Sequence, residues 1–198
     1  MNTSLSLELI EMAQQDIQLR SELAAEGSLF NGYHPKMKAL HDKNAERLSA
    51  IVEQYGWPGK SKVGPEAAHA AWLILQHAIA HPALQRKCFP LLVEQVEKNE
   101  MEPVELAMLE DRIHCFEGKP QRFGTQFDWD ENSQMSPLPV DDERLVEERR
   151  KKIGLAPLAE AIGEKRKEVA QSGELPPTNY QQYVIEKNEW LRANGWRN

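Results

Sequence analysis

Several side chains able to move protons or hold ions fall where apolar ones are expected. At about 100° per residue, Met37, Leu40, Leu48, Ile51 and Tyr55 form one helical stripe, and His41 and Asn44 lie in the middle of it. Gln76 and His77 interrupt the greasy run AAHAAWLILQHAIA, in which His69 shares a face with Gln76 and His81 sits one turn beyond His77. Asp16 and Arg20, four residues apart, share the side of a helix that carries Leu5, Leu9, Met12, Ala13 and Leu23. Imidazole is the side chain whose ordinary titration suits proton transfer near neutrality, and a neighbouring carboxylate orients or charges it. His77 and His41 are therefore the acid/base candidates, with Asp16 or Asp111 as the orienting acid.

Burying such groups costs several kcal/mol unless they are paired. Three helices each carry a polar pair, and the simplest arrangement points them at one another, around a pocket inside a bundle. The plainer alternative is a structural network. In it Asp16 and Arg20 form an intrahelical ion pair, and His41 with Asn44 joins two helices. No metal site is assigned, because HExxH and CxxC patterns are absent. His41, His77 and an aspartate nonetheless form a donor set that leaves metal binding open. Pro82 follows His81, which is expected to cap the end of its helix.

A second cluster starts at Asp111-Arg112 and continues through Gly118-Lys119-Pro120-Gln121-Arg122-Phe123-Gly124-Thr125-Gln126. Arg112, Lys119 and Arg122 supply cations. Gly124 permits close backbone approach, and Thr125, Gln121 and Gln126 supply donors and acceptors. Such a set suits a carboxylate, phosphate or amide group. The alternative is an Ω-type loop whose Gln and Thr side chains satisfy their own backbone. No Walker-type or dinucleotide-binding glycine pattern and no G-x-S-x-G occurs.

The elements that must position these residues follow from periodicity and punctuation. A first helix is predicted from about Leu5 to Leu23, and a second is opened by Pro35 and closed at Gly56-Trp57-Pro58. Residues 59–65 read as a loop. A central buried helix runs from Glu66 to about Ala80. Ala83–Lys98 is helical with a kink or break at Pro90, and Pro103 opens a helix to about Ile113. Beyond Phe116 a long ordered loop leads into a small hairpin, with Asp130-Glu131-Asn132-Ser133 as the turn. The chain is helical again from Asp141. SGELPPTN is a linker, and the final segment is amphipathic, with Tyr183, Lys187, Trp190 and Leu191 at helical spacing. The expected fold is mainly α. A helical, bundle-like domain over 1–171 carries the hairpin, and a linker and C-terminal helix follow over 172–198.

The chain has 198 residues and a net charge of −7, which argues against nucleic acid as the main partner. No apolar run approaches the roughly 20 residues of a membrane span, and the first residues lack a secretory pattern, so a cytoplasmic protein is expected. Cys88 and Cys115 have no metal-type spacing and read as reduced thiols.

Five spaced motifs agree in order with one family. His41 and Asn44, then Gly56-Trp57-Pro58, then Gln76-His77, then Asp111-Arg112, then Gln121 to Gln126 resemble the His-x-x-Asn, Gly-Trp-Pro, Gln-His, Asp-Arg and Gln-x-Tyr-Gly-Thr-Gln pattern of a bacterial family known as a domain of unknown function. Phe123 stands at the usual Tyr. The resemblance spans about residues 5–165 and implies no established activity; it ties the helical residues and the loop residues into one pattern.

The functional expectation is a small-molecule pocket protein, of the hydrolase or transferase kind if it is an enzyme, acting on an anionic or amide-containing molecule. His77 is general acid or base. His41 and Asn44 orient, Asp16 or Asp111 orients or charges the imidazoles, Arg20 and Gln76 belong to the substrate-binding set, and Arg112 and Arg122 neutralise an anion beneath the Gln121–Gly124–Thr125–Gln126 strap. No cofactor is indicated. The alternative is a non-enzymatic interaction module whose polar residues are structural and whose protein partner or second copy docks on the C-terminal helix.

Overall fold

The computed structural model describes residues 2–29 and 32–198. They form two compact units, Met1–Leu106 and Ala107–Asn198. As the periodicity predicts, the chain is mainly helical, with a small hairpin and a C-terminal helix.

The first unit contains α1 (Thr3–Ala25), α2 (Pro35–Tyr55), the short α3 (Lys60–Val63), α4 (Pro65–His77) and α5 (Pro82–Glu97). Helix α6 (Pro103–Phe116) begins in this unit and ends in the second. Local chemistry sets the boundaries. The Asn2 side chain accepts the Leu5 N–H at 3.2 Å, which satisfies one of the unpaired donors at the start of α1. Proline opens α2, α4 and α5, where its missing N–H costs nothing. Gly56 ends α2 at φ +69°, a conformation that favours glycine. Helix α4 packs on α1, α2, α3 and α5, and its Ala71 and Leu75 have no exposed surface.

Several elements differ in extent from the sequence reading, and α6 runs on to Phe116. The stretch 59–65 holds the one-turn helix α3 rather than only a loop. Helix α5 continues through Pro90, whose ring stands on the exposed side. Helix α4 stops at His77, three residues short of Ala80. Ala78 leaves helical geometry at ψ 48°, and its N–H bonds to Leu75 O at 3.1 Å, tightening the last turn. His77 is thereby the last residue of its helix.

The second unit holds the rest of α6, strands β1 (Phe127–Trp129) and β2 (Met135–Pro137), and helices α7 (Glu143–Lys152), α8 (Leu158–Ser172) and α9 (Tyr180–Ala193). The strands pair antiparallel, Asp128 opposite Ser136. Asp130 makes their turn by accepting the N–H groups of Asn132 and Gln134, both at 2.9 Å. Helix α8 packs on β2 and α7. Helix α9 turns Tyr183, Lys187 and Trp190 onto its own unit. Tyr183 donates to Asp128 at 2.5 Å and Lys187 pairs with the same carboxylate. Leu191 and Trp196 are buried, and Trp190 and Trp196 meet Phe116 edge-on.

Both cysteines are free and buried. Burial pushes the Cys88 thiol up to about 11 and the Cys115 thiol up to about 12, so neither supplies a thiolate near neutrality. Among the described residues no helix is long and apolar enough to cross a membrane.

Because Leu191 is fully enclosed, Leu191→Ala is expected to destabilise the second unit by about 2–5 kcal/mol. Urea unfolding followed by tryptophan fluorescence, to which Trp129, Trp190 and Trp196 of this unit contribute, should show a lowered midpoint for the second unit's transition. An unchanged midpoint would mean that α9 is not docked.

Candidate functional site

The first unit joins one polar side chain from each of three helices. Asp16 lies on the α1 stripe one turn beyond Met12 and is 1% exposed. His41 lies on the α2 stripe between Met37 and Ala45, also buried. His77 ends α4, and its side chain is 24% exposed, which makes it the member that reaches solvent. The Asp16 carboxylate stands between the two rings. Its Oδ1 is 3.0 Å from His77 Nδ1, and its Oδ2 is 3.0 Å from His41 Nε2. The rings are 5.4 Å apart between centroids. Tyr33, just before α2, stacks on His41 and places its hydroxyl 2.7 Å from His41 Nδ1.

The two contacts of the carboxylate differ. The His77 contact has hydrogen-bond geometry. The His41 approach is equally short but misaligned, so Asp16 Oδ2 and His41 Nε2 have no aligned hydrogen-bond partner. Burial alone would push the Asp16 carboxyl up, but the two imidazoles outweigh it and hold the group well below the ordinary carboxylate range. The Tyr33 hydroxyl is pushed up by burial and by the nearby charges of Asp42 and Asp16, so it stays protonated.

Asn44 and Gln76 are buried beside His41 and His77 in sequence, and Asn44 Nδ2 has no aligned partner. Asn44 also floors an open groove of about 550 Å³ between α1 and α2. Buried Gln85, on α5, donates to Leu75 O at 2.8 Å. Arg20 does not join the cluster. It is exposed and forms no ion pair with Asp16, because its long stem carries the guanidinium to water while the short Asp16 side chain stays inside. His81 does not cap a helix end through its ring; its Nε2 meets Asp42 Oδ1 at 2.9 Å, and Lys38 holds the other oxygen at 2.6 Å. His69 is exposed and pairs with Glu105.

The Asp111–Gln126 set comes together within the second unit, with its polar groups turned largely inward. Asp111, wholly buried, accepts the N–H groups of Arg122 at 2.7 Å, Phe123 at 3.1 Å and Thr125 at 3.0 Å, and the Thr125 hydroxyl at 2.9 Å. The nest of donors that could have held a substrate anion is filled by the protein's own carboxylate. Gln121 does the same for the strap's other end. Its amide donates to Gln126 O and Leu138 O and accepts from Gln126 N. Of the expected cations, Arg122 pairs with Glu110 at 2.8 Å and Lys119 with Glu117 at 2.7 Å. Gly124, at φ +65°, allows close approach of Leu158, whose Cδ1 would lie 2.9 Å from an added Cβ. Arg112, Thr125 and Gln126 line a groove of about 580 Å³ with Lys165. Arg150, which carried no sequence signal beyond its place in a basic run, is buried and donates to Phe123 O at 2.6 Å and Ala156 O at 2.7 Å. The strap is thus held by a buried anion on its N–H groups and a buried cation on its carbonyls.

The chain belongs to the family of unknown function DUF6624, whose model matches residues 3–169. The matched span contains both clusters and ends before α9. No curated protein and no solved structure matches the chain.

Asp16 titrates lower in the folded chain than in the unfolded one. Its stabilisation is therefore complete above the ordinary Asp value of about 4 and is lost as pH falls toward the folded value. In buffer containing a chelator, Asp16→Asn is expected to cost roughly 3–5 kcal/mol at pH 6, with the gap to wild type closing below pH 4. Urea midpoints across that range measure it. A gap that stays constant with pH would mean that the charge on Asp16 carries none of the effect.

Proposed function

We propose that the Asp16–His41–His77 centre is the reaction centre of an enzyme that hydrolyses, or transfers a group from, a small anionic or amide-containing molecule. The observation that carries this reading is a buried carboxylate held between two imidazoles, one of which reaches solvent. Apolar residues would fill the same space at no desolvation cost, so the trio is expensive as scaffolding alone.

The chemistry follows from the hydrogen bonds. Asp16 Oδ1 accepts the proton of His77 Nδ1, which makes Nε2 the basic nitrogen of the ring. A carboxylate in that position fixes the tautomer and stabilises the imidazolium formed when Nε2 takes a proton from water or a substrate hydroxyl. His41, buttressed by Tyr33, holds the carboxylate from the other side. A negative substrate group gains from the imidazolium and from displacement of water at the half-open side of His77. Asn44 and Gln76 are positioning residues in this reading.

The alternative of an interaction module on the C-terminal helix draws less support, because Leu191 and Trp196 are buried within their own unit.

A thermal-shift screen with small carboxylates, phosphates and amides, run in chelator, tests the proposal. A ligand at about 100 times its Kd adds roughly 2.7 kcal/mol of stability, or several degrees in a domain of this size. His77→Ala is expected to keep the wild-type circular dichroism spectrum and to lose the shift. A His77→Ala protein that unfolds outright, or a ligand that stabilises variant and wild type equally, would contradict it.

A further inference from the structure

We propose that Asp16, His41 and His77 bind one divalent first-row transition ion, Zn²⁺ being the best match to the donors. This inference rests on the reading of the trio as a working centre and gives it a different chemistry.

The geometry supplies the argument. One donor atom from each residue lies within 4.8 Å of the other two. A tetrahedral ion about 2.0–2.2 Å from its ligands holds them a little over 3 Å apart. His77 Nδ1 lies 3.0 Å from Asp16 Oδ1 and His41 Nε2 lies 3.0 Å from Asp16 Oδ2, so the carboxylate turns one oxygen to each imidazole at close to that spacing. Two imidazole nitrogens and one carboxylate oxygen form the donor set of catalytic zinc sites, and the same set serves non-haem iron.

The misaligned contact is the second observation. Asp16 and His41 are each more than nine-tenths buried, and Asp16 Oδ2 and His41 Nε2 face each other without an aligned hydrogen bond. When the Tyr33 hydroxyl accepts the proton of His41 Nδ1, the Nε2 atom carries a lone pair. Two lone-pair atoms at this distance repel unless a positive charge stands near both. A proton on the line between them would align the bond; an ion to one side of the line satisfies both atoms and also His77 Nδ1. His77 then keeps its proton on Nε2.

Tyr33 fits the scheme. A metal-bound imidazole ordinarily donates its other N–H to an oxygen, which fixes the ring. Three protein ligands leave a position for water, and the partial exposure of His77 opens that side to solvent. The ion would acidify the bound water, a task that falls to His77 Nε2 as general base in the metal-free reading.

Chelator-stripped protein titrated with Zn²⁺ by calorimetry, and with Co²⁺ by its visible absorption, tests the proposal. One ion per chain is expected, with a Co²⁺ spectrum of four- or five-coordinate type. His77→Gln and His41→Gln should each lower the affinity at least 100-fold, and Tyr33→Phe about 10-fold. His69→Gln, at an exposed pair, should bind as wild type. Saturation at other sites, no binding by the wild type, or binding undiminished in His77→Gln and His41→Gln would overturn it. If Asp16→Asn fails to fold, the wild-type spectrum and the two histidine variants still decide. The ligand screen in chelator separates the two readings. A small molecule bound by metal-free protein that takes no ion leaves the proton-transfer centre standing alone. An ion bound by protein that takes no small molecule leaves the metal site without that centre.

Discussion

A carboxylate with almost no contact with water must find positive charge or strong donors inside the protein, and Asp16 finds them in two rings from two other helices. That requirement couples α1, α2 and α4 more tightly than their apolar contacts alone. Leu9, Leu48 and Leu75 are fully buried on the same three helices, and shape complementarity among such residues tolerates substitution. The carboxylate does not. A shift of one residue in any of the three helices would move an imidazole or the acid by about 100° around its axis and leave a charge unpaired. The cost of this arrangement relative to an apolar core is the physical ground for proposing the trio as a site.

The second unit solves a similar problem with the opposite consequence. Asp111 is as deeply buried as Asp16, yet its partners are the N–H groups of a loop and the hydroxyl of Thr125. Arg150 supplies the complementary charge on the carbonyl side. The two buried charges, Asp111 and Arg150, are both directed mainly at the backbone of the loop, so the result is a fixed conformation. In the first unit the strong groups are directed at each other and one of them meets solvent. The difference between this clamp and the proposed reaction centre lies in where the lone pairs and protons point, which is a property of geometry and not of composition.

Much of the fold was legible because its signals are local. Proline at the first turn placed the starts of α2 and α6 to the residue, and Gly56 placed the end of α2. The stripe arithmetic found Asp16, His41 and His77 because a polar residue on an apolar face is conspicuous. It could not separate Asp16 from Arg20: a helical wheel gives a direction and says nothing of how far a side chain reaches, and a long cationic stem escapes where a short acid cannot. The loop cations looked available for an anion because Glu110 and Glu117, their partners, belong to a different stretch of chain or to its edge. Tyr33 was missed because it sits outside any periodic segment, and Arg150 because it stands among Arg149, Lys151 and Lys152, where burial of one member leaves no mark in the sequence.

The claim on which the rest depends is that one carboxylate couples two imidazoles. Two-bond proton–nitrogen correlation spectra of ¹⁵N-labelled protein read each histidine ring separately. The account predicts that replacing Asp16 by Asn moves the ring signals of both His41 and His77 and leaves those of His69 and His114 in place. Ring signals for His41 and His77 that match free histidine in the wild type, or that do not respond to the change at Asp16, would contradict it.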